Sequence, residues 1–221
     1  MKNKTKLNKN LPVILIAVIS LISVGVIGFN VVTLMTREST VTAQPEIIEN
    51  EFYTIKSNAT DLQKSVFDEL TIELDKNENQ LLIAELVAKS FVTDLFTWST
   101  KDGNYDVSAT QYVYGNMNLV FKKYIQDTLY GNFDLTVAQY GDDYLPEVAS
   151  VEAIAYAQDR EFVTHFGSYP FFYVYVSWDY KQYEPIEGSE DKIVDTTNWK
   201  KSMDLYIVVR EDGRYEVVEF Y

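Results

Sequence analysis

From Leu11 to Met35 the chain reads LPVILIAVISLISVGVIGFNVVTLM, 25 residues with no charged side chain and Asn30 as the only strongly polar one. An α-helix crosses the hydrocarbon core of a bilayer with about 20 apolar residues, so this run is long enough to span it. Lys2, Lys4, Lys6 and Lys9 precede the run, whereas Arg37 and Glu38 follow it and the sequence then turns acidic. Positively charged flanks stay on the cytoplasmic side. The sequence therefore predicts a cytoplasmic tail over residues 1–10, a transmembrane helix over 11–35, and an extracytoplasmic remainder. Val41-Thr42-Ala43 resembles the small-residue site of a cleaved signal peptide. The apolar core of such peptides is shorter, roughly 7–15 residues, which favours a retained single-pass anchor in the cell membrane.

Charge and composition narrow what the exported part can do. All 33 acidic side chains lie after Met35, against 15 basic ones, a formal charge of −18. A nucleic-acid-binding domain needs a basic patch, and an anionic membrane surface repels so acidic a body. Partners are therefore expected to be proteins, with no nucleic acid, and membrane contact only through residues 11–35. The chain has no cysteine, which excludes disulfides, thiolate metal sites and a lipid-anchored lipoprotein. The one histidine, His165, excludes a multi-histidine metal site.

Residues 36–58 read as an extracytoplasmic linker, polar and acidic with Pro45, in which EFYTIK (51–56) suits a short extended piece. Asn58-Ala59-Thr60 matches a glycosylation acceptor, but Thr60 reads better as a helix N-cap. A first helix is predicted from Asp61 to about Leu74, where Leu62, Val66, Phe67, Leu70 and Leu74 share a face. The following DKNEN (75–79) imitates the start of a calcium loop, yet Gln80 and Leu86 stand where glycine and glutamate are required, leaving a helix–helix turn. A second helix, about Glu78 to Ser99, carries an apolar stripe Leu81, Ala84, Ala88, Phe91, Leu95 and Trp98, with Glu85, Lys89, Thr93 and Thr97 as its polar side. A third is predicted from Ser108 to Leu129, ended by Gly131-Asn132 in a left-handed cap. From there the period changes from 3.6 to 2. Strands are expected at Phe133–Tyr140, Ala149–Gln158, Tyr169–Tyr183, Lys201–Arg210 and Tyr215–Tyr221, the last two joined by a type I′ turn at Asp212-Gly213. Helices followed by a run of short-linked strands indicate an α+β domain over 59–221, about three helices on a curved antiparallel sheet of four to five strands.

One strand poses a question. In YPFFYVYVSWDYKQY (169–183) alternate residues point to opposite faces, yet Phe171, Tyr173 and Tyr175 are as bulky as Phe172, Val174, Val176, Trp178 and Tyr180. One face must pack the core, and antiparallel sheets usually make the other polar. Either neighbouring side chains shield that second face, or it is an aromatic interaction surface, with Tyr173, Tyr175, Trp178 and Tyr180 as candidates.

The order of parts, from the anchor Leu11–Met35 through the stripe running into FTWSTKDGNYDV (96–107) to the closing VVREDGRYEVVEFY (208–221), resembles the nuclear transport factor 2-like (cystatin-like) cone fold. Within it, the single-pass arrangement resembles the VirB-type assembly proteins of type IV secretion and conjugation channels of Gram-positive bacteria. The resemblance implies a non-enzymatic scaffold whose exported domain self-associates and contacts other channel subunits, with no catalytic residues and no cofactor.

Enzyme signatures are missing: there is no GxSxG, HExxH, P-loop or GxGxxG. His165 with Ser168 is too loose for a triad, and Gly141-Asp142-Asp143 reads as a turn and not a cation site. The alternative function is an exported small-molecule-binding or isomerase-like domain, as in cone-fold isomerases, with Asp179 as an acid tuned by a hydrophobic cup and Tyr175 or Tyr112 assisting.

Overall fold

The structure, a computed structural model, describes residues 46–221 apart from 116 and 185–192. The tail, the apolar run 11–35 and residues 36–45 of the linker lie outside the described residues. Among the described residues no helix is long and apolar enough to cross a membrane. The domain is α+β: helices and a short hairpin cover one face of a four-stranded antiparallel sheet.

The hairpin comes first. Strands β1 (Ile47–Glu49) and β2 (Thr54–Lys56) pair antiparallel, so half of the segment expected as linker is folded. It is tied to the far end of the chain. Tyr53 is buried; its hydroxyl donates to the Tyr215 carbonyl at 2.6 Å and accepts from the Tyr215 N–H at 3.1 Å.

Helix α1 spans Asp61–Lys76. Thr60 caps it with a reciprocal box: its hydroxyl accepts from the Gln63 N–H, and the Gln63 side chain accepts from the Thr60 N–H. Asn77, in the left-handed region at φ 49°, ends it. Asn79 then caps α2 (Gln80–Phe96) by accepting from the Leu82 N–H. The DKNEN turn thus supplies one C-cap and one N-cap.

Helix α2 is more deeply buried than an amphipathic stripe predicts. Ile83, Ala84, Leu86, Val87, Ala88, Phe91 and Val92 are fully enclosed, and so are Thr93 and Thr97, which the sequence assigns to the polar side. The helix lies between the sheet and a cover of α1 and the 3₁₀ turn Ser108–Tyr112, so almost no side of it meets water. Trp98 lies beyond its end. There it donates its backbone N–H to Pro146 and packs among Tyr130, Phe133 and Trp199.

The predicted third helix is broken. Its first part is the 3₁₀ turn; its second is α3 (Met117–Asp127). Between them Val113 and Tyr114 run extended beside the last strand, with the Tyr114 N–H bonded to the Val217 carbonyl at 2.9 Å, and Gly115 turns the chain at φ 43°. Pairing with the sheet edge is incompatible with helix, so the helix divides there. Gly131 does not adopt the left-handed conformation expected of it.

Phe133–Tyr140, expected as a strand, is helix α4. Its alternation of apolar residues is coincidental. Phe133 and Val137, one helical turn apart, face the core, while Leu135 points out at 69% exposure.

The sheet is the meander β3 (Val148–Thr164), β4 (Gly167–Tyr180), β5 (Ser202–Val209), β6 (Tyr215–Phe220). The β5–β6 connection is a Glu211-Asp212-Gly213 loop. The Gly213 N–H bonds Arg210, and only Gly213, at φ 88°, is left-handed. That is the three-residue hairpin with a glycine bulge instead of the expected two-residue type I′ turn. The inner face of the sheet, Val174, Val176, Trp178, Leu205, Ile207 and Val217, packs α2; Trp178 stacks on Phe96 at 4.5 Å between ring centroids.

Candidate interaction surface

Strand parity divides the aromatic residues of β4 cleanly. Phe172, Val174, Val176, Trp178 and Tyr180 point inward and are buried. Trp178 and Tyr180, expected on an interaction face, therefore belong to the core. Phe171, Tyr173, Tyr175, Ser177 and Asp179 point outward. Of the four candidates, the structure brings Tyr173 and Tyr175 together on the outer face and takes the other two away from it.

The outer face is organised in rows across the strands. One reads Tyr156, Tyr173, Tyr206, Glu219; the next reads Ile154, Tyr175, Asp204, Tyr221. Tyr156 stacks on Tyr173 at 5.9 Å, Tyr173 meets Tyr206 at 6.0 Å, and Tyr206 meets Tyr221 edge-on at 6.1 Å. Two carboxylates hold the hydroxyls. Tyr173 donates to Asp204 at 2.7 Å and Tyr221 to Glu219 at 2.8 Å. The Asp204 carboxylate beside it pushes the Tyr173 phenol up to about 12, since ionisation would place two anions in contact.

At one end the face closes on itself. Tyr114, Phe171, Val208 and Val218 form a small second core, with Phe162, Tyr169 and Tyr206 packed around it. Arg210 lies over the rings of Tyr114 and Tyr169, at 5.2 and 5.6 Å, and donates to Glu216 at 3.1 Å. The two-sided apolarity of β4 thus has two causes. Around Phe171 the outer face is shielded by its neighbours. Across Tyr156, Tyr175 and Tyr221, each 42–64% exposed, it is open.

Asp179, the acid of the alternative reading, stands at the far end of this face. Its side chain is 72% exposed and 3.5 Å from Lys201, so no hydrophobic cup desolvates it. His165 is exposed at the tip of the β3–β4 hairpin, and Gly141-Asp142-Asp143 is an exposed loop. Among the described residues no three acids or histidines stand close enough to hold a metal ion.

A different acid is buried. Asp94, on α2, is 6% exposed. Its two carboxylate oxygens accept from the side-chain amides of Gln63 at 2.9 Å and Gln111 at 3.3 Å. Burial raises it to about 6, against the opposing pull of Lys101 and the two amides. It borders a cavity of about 290 Å³ between the hairpin and the 3₁₀ turn, whose rim carries Lys56 and Asp106. Sequence reasoning missed Asp94. The signal was the run Ser90, Thr93, Asp94, Thr97, a helical stripe of polar residues inside a helix apolar on its other sides.

No family model, curated protein or solved structure matches the chain.

Proposed function

We propose that this chain is a non-enzymatic, membrane-anchored interaction module whose extracytoplasmic domain presents the outer sheet face to other proteins of an envelope assembly. The carrying observation is the tyrosine row Tyr156, Tyr173 and Tyr206 over β3, β4 and β5, extended by Tyr221 just after β6, which stays partly exposed although the same face closes around Phe171. Tyrosine suits such a surface because its ring supplies contact area and its hydroxyl tolerates water. The helices on one side of an antiparallel meander are consistent with the cone fold, and the apolar run 11–35 with the anchor. We read the assembly as a conjugation or type IV secretion-like channel, with partners among its other subunits and further copies of the chain. The test is photo-crosslinking in intact cells from position 175 of the full-length protein. Adducts to envelope proteins from Tyr175, and none from Gln139 on α4, are expected. A chain that yields no adduct from Tyr175 overturns the reading.

A second reading rests on the cavity beside Asp94, which replaces Asp179 as the acid of a small-molecule site. Both carboxylate oxygens are already engaged by Gln63 and Gln111, and Gln111 also grips the Thr54 backbone of the hairpin. That is the arrangement of a structural clamp. A thermal-shift screen of small metabolites decides: ligands that stabilise the wild type but not Asp94→Asn would establish a site, and none would retire it.

A further inference from the structure

We propose that the open part of the outer face docks an extended, arginine- and lysine-rich segment of a partner protein. The inference rests on reading this face as an interface, and it adds the chemistry of what lies there. Four carboxylates share the outer face with the tyrosines, one on each strand: Asp204 on β5 and Glu219 on β6 within the tyrosine rows, Glu152 on β3 in the row beside them, and Asp179 on β4 at the far end. Among the described residues the cation paired with this set is Lys201, at 3.5 Å from Asp179.

The geometry favours a cationic occupant. The hydroxyls of Tyr173 and Tyr221 donate to Asp204 and Glu219, which leaves the remaining lone pairs of these carboxylates and the exposed parts of the Tyr156, Tyr175 and Tyr221 rings for a partner. Guanidinium groups bind both: carboxylates through charge-assisted hydrogen bonds and tyrosine rings through cation–π contact. The fold already uses this combination within itself. At the other end of the same face, Arg210 lies over two tyrosine rings while bonding a glutamate. A second copy laid face to face would set these carboxylates against one another, and an anionic lipid or nucleic acid would meet the same repulsion.

The probe is the labelled peptide Arg-Gly repeated five times, titrated into the full-length protein in neutral detergent micelles, with a Glu-Gly peptide as control. The variant Glu152→Gln, Asp179→Asn, Asp204→Asn, Glu219→Gln removes four charges from the face. A second variant, Asp68→Asn, Glu69→Gln, Asp75→Asn, Glu78→Gln, removes four from exposed positions on and just after α1. We expect the face variant to lose at least tenfold in affinity for the cationic peptide and the α1 variant less than threefold. Equal losses would mean attraction to the acidic domain as a whole and would overturn the proposal, as would equal binding of both peptides. Crosslinking from Tyr175 separates the two levels of the argument. A captured segment that is neutral or acidic ends this inference but keeps the interface, and the absence of any adduct ends both.

Discussion

Asp94 shows how one buried charge shapes the behaviour of a fold. Removal from water dominates over the favourable contacts with Lys101, Gln63 and Gln111, and Asp106 adds to the rise; the carboxyl moves from its ordinary 3.8 to about 6. A group with a raised folded-state pKa contributes stability that is fully present below the unfolded value and is lost as pH rises through the folded one. We therefore expect the wild type to lose about 3 kcal/mol relative to Asp94→Asn between pH 3 and pH 7, with the difference flat above that, in denaturant titrations at stepped pH. The comparison cancels the other carboxylates, and a difference that stays level through this window refutes the assignment. Absolute stability is a separate matter, because an asparagine offers only one oxygen to two amide donors. The residue was hard to read from sequence for a physical reason: a polar stripe on a helix ordinarily marks the solvent side, and here it marks the contact with the hairpin and the 3₁₀ turn. Thr60, by contrast, was legible because a cap is satisfied by its own neighbours three residues on.

At the scale of elements, α4 and β4 are instructive. The apolar residues of Phe133–Tyr140 satisfy period 2 as well as a short helix, and the segment alone cannot separate them. The two structures place Leu135 differently. In a strand Phe133, Leu135 and Val137 share a face and truncation of each costs alike. In the helix Phe133→Ala should cost about 3–5 kcal/mol, as expected of a buried phenylalanine, whereas Leu135→Ala should change stability by less than about 0.5 kcal/mol. Chemical denaturation of the two variants distinguishes the cases. In β4 the sequence showed two apolar faces but not which faced the core. Strand parity was correct, and the inner set Phe172 to Tyr180 was assigned only when α2 took its place against it. The aromatic residues expected to act together were therefore split, with Trp178 stacked on Phe96 and Tyr175 left in solvent.

At the scale of the whole domain, the N-terminal hairpin closes the structure. Tyr53 satisfies both backbone groups of Tyr215, 162 residues later, and Arg214 donates to the Phe52 carbonyl. Lys56 adds ion pairs to Asp102 and Asp106. Tyr53→Phe leaves a buried N–H and C=O without a partner, and we expect a loss of about 2–4 kcal/mol, seen as a lowered midpoint of thermal unfolding. A change within about 0.5 kcal/mol would show that the hairpin is only loosely attached. The segment read as a linker because three-residue strands carry too few residues to show a period, and their partner lies at the other end of the chain.

The sequence by itself determined the features that local rules control: the α+β class, the Thr60 cap, the helix–helix turn at DKNEN, the existence and approximate position of α1 and α2, the alternation of β4, and the strong negative charge after the apolar run. Tertiary structure alone decided which face of β4 became core, that Asp94 and not Asp179 is the buried acid, that Phe133–Tyr140 coils, and that residues 47–56 belong to the domain. These outcomes depend on groups far apart in sequence, whose burial and pairing exist only once the sheet has closed over α2.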